Sequence, residues 1–67
     1  IVIGENCKIE ADTRISNSII GANTVIEEGA VIIDSVLWNN VKVASGAFLQ
    51  ENVISNDTEI YEKAHLA

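Results

Sequence analysis

The sequence contains no proline, no methionine and a single cysteine, Cys7, among its 67 residues. Because proline cannot donate a backbone hydrogen bond, its absence leaves the hydrogen-bond ladders of strands uninterrupted. One cysteine excludes an intramolecular disulfide, and with it the class of small domains that disulfides stabilise. A chain this short has little surface to bury, so it needs another source of stability.

Aromatic and basic residues are also scarce. Aromatic residues make up 4% of the chain, although hydrophobic residues make up 48%, so the apolar content is mostly Ile, Val, Leu and Ala. A composition rich in β-branched residues favours strands. The chain has 4 Lys and Arg against 10 Asp and Glu, a net charge of −6. This acidic balance disfavours binding to nucleic acid or to anionic membranes, and we expect neither as a partner.

Long apolar runs and targeting signals are missing as well. No run approaches the roughly 20 residues that span a bilayer, and no signal peptide is visible. The chain begins with Ile1 rather than methionine, and it begins and ends inside the repeating pattern described below. We therefore expect one domain, residues 1–67, that is a fragment of a longer cytoplasmic polypeptide.

What the sequence does contain is a regular spacing of aliphatic residues. In the stretch from Ile20 to Ile32, two six-residue units follow one another, and each opens with an aliphatic residue. Along the whole chain the spacings run six, six and five, which gives a period of 17 residues. Six-residue units are typical of a parallel β-helix. The aliphatic positions are Ile3, Ile9, Ile15, Ile20, Ile26, Ile32, Leu37, Val43, Leu49, Ile54, Ile60 and Leu66.

This period predicts a triangular prism. Three strands would form one coil of 17 residues, and 67 residues would form nearly four coils. At a spacing of roughly 4.8 Å between coils, the prism would be about 19 Å tall.

The fourth position of each six-residue unit predicts the corners of the triangle. Seven of the eight units have Asn, Asp or Gly there, the residues that enter the left-handed backbone region at least cost. Lys63 is the exception, and we expect strain or fraying at that corner. The eight positions are Asn6, Asp12, Asn23, Gly29, Asn40, Gly46, Asp57 and Lys63.

The fifth position of the same units predicts small side chains that point inward, because side chains alternate along a strand. The five-residue sides have Ser18, Ser35 and Asn52 at the equivalent position, one coil apart. Stacking would align these three as an internal polar ladder, which must be hydrogen-bonded to be tolerated. The residues at the fifth position are Cys7, Thr13, Thr24, Ala30, Val41, Ala47, Thr58 and Ala64.

Several segments carry a resemblance to known families. The units Ile3-Gly-Glu-Asn-Cys-Lys8 and Ile20-Gly-Ala-Asn-Thr-Val25 resemble the left-handed β-helix family of hexapeptide-repeat proteins. Ile15-Ser-Asn-Ser-Ile-Ile-Gly21 and Asp34-Ser-Val-Leu-Trp-Asn-Asn-Val41 resemble the C-terminal β-helix of sugar-phosphate nucleotidylyltransferases, such as mannose-1-phosphate guanylyltransferases and glucose-1-phosphate adenylyltransferases. Together with Val43-Ala-Ser-Gly-Ala47, they also resemble the epsilon subunit of the eukaryotic translation-initiation exchange factor.

For the fold, the resemblance implies an all-β, single-stranded left-handed parallel β-helix built from hexapeptide repeats. Parallel crossovers are normally right-handed, so the left-handed sense rests on the resemblance alone. In the nucleotidylyltransferases the chemistry lies in a separate α/β domain, whose glycine-rich phosphate loop is missing from this sequence. The Mg²⁺ of the reaction is expected in that absent catalytic domain, and no cofactor is expected in this chain.

For function, the resemblance implies a non-catalytic structural, oligomerisation or regulatory domain. The parent enzyme would join a nucleoside triphosphate to a sugar 1-phosphate and release pyrophosphate. The expected partners are its own catalytic domain and further subunits of a homo-oligomer or multi-subunit complex. Two alternatives remain: the β-helix of the exchange-factor epsilon subunit, and a hexapeptide-repeat acyltransferase, which should have an inserted loop and a paired histidine.

We predict no catalytic, cofactor-binding or metal-binding residues. His65, the single histidine, is interpreted as a surface residue rather than a general base, and a zinc site of the β-helical carbonic anhydrase type needs three histidines. Cys7 is interpreted as core filler, because a reactive thiol needs exposure and a lowered pKa. Lys8 and Lys42 should point outward from one side, where an anion could bridge them, but solvated surface is the favoured interpretation.

One row of outward-facing residues predicts an interface. These residues come just before the first inward aliphatic residue of each coil, and stacking puts them on one side of the prism. The rows on the other two sides are mixed and contain charged residues. An exposed apolar row with an aromatic anchor is typical of an interface, although β-branched residues are also simply good strand formers. The predicted interface residues are Val2, Ile19, Val36, Trp38 and Val53.

Overall fold

The computed structural model describes all of residues 1–67, and it contains strands and turns but no helix. It therefore has no helix that could cross a membrane. The twelve strands are two or three residues long, as the short aliphatic units and their corner residues predict. They are Val2–Ile3 (β1), Lys8–Ile9 (β2), Arg14–Ser16 (β3), Ile19–Ile20 (β4), Val25–Ile26 (β5), Val31–Ile33 (β6), Val36–Leu37 (β7), Lys42–Val43 (β8), Phe48–Gln50 (β9), Val53–Ile54 (β10), Glu59–Ile60 (β11) and His65–Leu66 (β12).

Every third strand belongs to the same sheet, so the chain forms three parallel sheets of four strands. We call them sheet A (β1-β4-β7-β10), sheet B (β2-β5-β8-β11) and sheet C (β3-β6-β9-β12). Each residue pairs with the one 17 positions later, as Val2 does with Ile19 and Ile19 with Val36. The fold is thus a parallel β-solenoid of about four turns, as predicted, with overall extents of 24 × 22 × 20 Å. Its left-handed sense stays a prediction from the resemblance.

The core lies between the three sheets and is formed mainly by the predicted aliphatic positions. The first and last coils differ, because each has a neighbouring coil on one side only. Ile3 is 45% exposed, and Ile9 and Leu66 are each 37% exposed. The buried apolar residues are Ile20, Ile26, Ala30, Ile32, Leu37, Val41, Val43, Ala47, Leu49, Ile54 and Ile60.

All eight predicted corners have the left-handed backbone conformation, including Lys63 at φ 60°. The structure adds three corners that the sequence analysis did not identify. Asn17, Asp34 and Glu51, on the five-residue sides, have φ values of 49°, 50° and 55°. A side with one residue fewer still has to turn, and it does so at the residue before the inward polar position.

The internal polar ladder is hydrogen-bonded throughout, as predicted. The hydroxyl of Ser18 donates to the carbonyl of Ser16 at 2.7 Å and accepts from the backbone N–H of Ser35 at 3.0 Å. The Ser35 hydroxyl repeats both bonds, to the Ile33 carbonyl at 2.8 Å and from the Asn52 N–H at 3.2 Å. No buried side-chain nitrogen or oxygen lacks a partner, so the ladder joins coils without leaving a polar group unsatisfied.

Candidate functional site

The three sheets present different outward rows of side chains. Sheet B presents a row with two lysines and a glutamate, and sheet C presents a row with an arginine, a phenylalanine and a histidine. Sheet A alone presents an uncharged, wholly aliphatic row: Val2, Ile19, Val36 and Val53. We call this row, with Trp38 at its edge, the apolar face. The structure thus places all five predicted interface residues on or beside one sheet.

Most of the apolar face is open to solvent. Val2 is 62%, Ile19 50% and Val53 73% exposed, and only Val36 is half-buried. Trp38 is 53% exposed at the end of β7. Large aliphatic and aromatic side chains exposed together on one face make this surface a candidate for an interface.

A groove of about 340 Å³ lies at the start of the sheet A strands in the first three coils. Four aliphatic and four polar residues line it: Ile1, Val2, Ile19 and Val36, and Asn17, Ser18, Asp34 and Ser35. The left-handed backbone of Asn17 and Asp34 places them at a corner, where the Asn17 Nδ2 donates to Asp34 Oδ1 at 2.8 Å. The groove is therefore lined by both apolar and polar side chains, among them the carboxylate of Asp34.

Trp38 lies at the opposite end of the same strands, on a backbone that hydrogen bonds hold in place. The backbone N–H of Trp38 donates to the carbonyl of Ile54 at 2.9 Å. The next residue, Asn39, donates its N–H to Asn56 Oδ1 at 2.8 Å and accepts at its own Oδ1 from the N–H of Ala22 at 2.9 Å. The corner that carries the indole is thus fixed to the coils on both sides.

Glycine at position 21 permits this close stacking. A Cβ on Gly21 would overlap the carbonyl group of Trp38 and would lie 2.6 Å from Asn39 Oδ1. The backbone of Trp38 therefore occupies space that any other residue at position 21 would need. Sequence reasoning noted glycine at this position but did not find this contact.

His65 is exposed, and its imidazole stacks on the phenyl ring of Phe48 with centroids 4.6 Å apart and planes 9° apart. No carboxylate hydrogen-bonds to it, and the 17-residue register holds from coil to coil, so no inserted loop faces it. The geometry is that of a stacked surface pair. No group of three or more His, Cys, Asp and Glu side chains is arranged to hold a metal ion.

The other candidates also have local structural roles. Cys7 is half-buried against the core, and its thiol donates to the carbonyl of Gly21 at 3.1 Å. Lys8 and Lys42 flank Val25 on sheet B, as the sequence predicts. Lys42 Nζ lies 3.9 Å from Glu27 Oε2, the single salt bridge of the chain.

Asn17 and Asp34 are the site residues that sequence reasoning missed. Each comes directly before a serine of the internal ladder. Because Asn and Asp tolerate the left-handed conformation best after glycine, their spacing of one coil was an available signal for a second kind of corner.

The model of the GMPPB C-terminal domain family matches residues 1–67, which is the whole chain. No match was found among the curated proteins or among the solved structures. The family match agrees with the parallel β-solenoid, and with the resemblance of its segments to nucleotidylyltransferases. The chain belongs to the GMPPB C-terminal domain family and is a C-terminal β-helix domain of a nucleotidylyltransferase.

Proposed function

We propose that this domain is structural and holds copies of a nucleotidylyltransferase together through the apolar face. The observation that carries the proposal is the difference between the three outward rows. Only sheet A presents an uncharged row, and three of its four aliphatic side chains are at least half exposed.

Electrostatics supports sheet A as the face on which a second copy docks. The chain has a net charge of −6, so two copies repel each other over most of their surface. Docking through sheet B or sheet C would bring rows that contain lysine, glutamate or arginine against their own copies. Docking through sheet A removes apolar surface from water, worth about 25 cal/mol per Å², and takes no charged side chain of the row out of water.

In this proposal the chemistry takes place elsewhere in the enzyme. A catalytic α/β domain, with the Mg²⁺ expected there, would join a nucleoside triphosphate to a sugar 1-phosphate in the cytoplasm. The residues of this chain would fix the relative positions of such domains. Within this chain, the local structural roles of His65 and Cys7 support the non-catalytic assignment.

The experiment is a comparison of lysine substitutions on two faces. Ile19→Lys and Val53→Lys put a charge on the apolar face, whereas Val31→Lys puts the same charge in the row of sheet C. All three side chains point outward, so the fold should survive, which far-UV circular dichroism checks. Sedimentation equilibrium should show weakened self-association for the two sheet A variants and unchanged self-association for Val31→Lys. Unchanged self-association in all three variants would overturn the proposal.

A further inference from the structure

We draw no further inference here: the strongest candidate, the surface patch formed by the exposed indole of Trp38 and the side-chain amides of Asn39 and Asn56 at the corner between sheet A and sheet B, lies outside the groove, and nothing in the structure shows what covers it.

Discussion

The hydroxyl oxygen of Ser18 accepts a hydrogen bond from the backbone N–H of Ser35 at 3.0 Å, and these two serines occupy the same place in consecutive coils. Ser35 makes the same bond to the N–H of Asn52 at 3.2 Å. Asn52 ends the series differently, by donating its Nδ2 to the carbonyls of Gln50 and Leu66 at 2.7 and 2.9 Å. The two serine hydroxyls thus each link one coil to the backbone N–H of the next.

Ser35→Ala should therefore destabilise the domain by about 1–3 kcal/mol, because it leaves the Asn52 N–H without a buried partner. Urea denaturation followed by circular dichroism measures the change in the free energy of unfolding. Ser16→Ala is the control, since Ser16 is exposed and its hydroxyl makes no hydrogen bond in the chain, and it should shift stability by less than about 0.5 kcal/mol. Equal stability of the two variants would contradict a role for the ladder.

Two glycines should respond differently to alanine. In Gly21→Ala the new methyl group would overlap the carbonyl of Trp38, so coils must move apart, at a cost of about 1–3 kcal/mol or more. In Gly29→Ala the nearest atom, Gly46 N, is 3.9 Å away, and only the backbone φ of +78° is unfavourable, at about 1–2 kcal/mol. Gly29→Asn should be more stable than Gly29→Ala, because asparagine tolerates the left-handed backbone. Gly21→Asn should be no more stable than Gly21→Ala, because its Cβ meets the same carbonyl group. Recovery at both positions in urea titrations would argue against the steric account at Gly21.

Lys63 and Glu51 occupy left-handed corners at φ 60° and 55° with side chains that give them no local support there. Replacing either with asparagine should stabilise the domain by up to about 1 kcal/mol, because asparagine enters this region at lower cost. Asp12→Asn, at φ 61°, is the matched control and should have little effect. Thermal unfolding midpoints decide the matter: no gain at Lys63 or Glu51 would mean that those corners are not strained.

The stacked rings of His65 and Phe48 should contribute to stability rather than to catalysis. His65→Ala should cost about 0.5–1.5 kcal/mol, the worth of an aromatic pair, and His65→Phe should restore it. Since β12 has only β9 as a neighbour, amide hydrogen exchange in residues 65–66 should rise in the alanine variant. Unaltered amide exchange and unfolding free energy in His65→Ala would show that the stacked rings do not contribute to stability.

Most of the fold could be predicted because inward and outward positions are set by residue type at a fixed spacing. Aliphatic residues such as Ile26 and Leu49 had to be buried, and Asn23 or Gly29 had to turn. Ile3 and Leu66 are partly exposed because they lie in the first and last coils. The spacing of aliphatic residues does not distinguish these coils from the inner ones. Glu51 was missed as a corner because its residue type gives no signal for a left-handed backbone.

The candidate site was predictable in part. The apolar row of sheet A follows directly from the spacing, because Val2, Ile19, Val36 and Val53 recur with the coil. The groove beside it depends on how two successive corners lie together, and on the side-chain bond between Asn17 and Asp34. Such a recess is a property of stacked coils, and the pattern within one coil does not encode it.

The constant 17-residue register also determines which changes of length the domain can absorb. Each coil contacts only its neighbouring coils. Duplicating residues 20–36 would therefore add one coil, about 4.8 Å in height, whose side chains contact the same kinds of residues as before. Deleting a single residue such as Val25 would instead move Ile26, the next residue of that strand, from the inward to the outward position. Insertions and deletions should therefore persist in such a gene as whole coils, while fractions of a coil are lost.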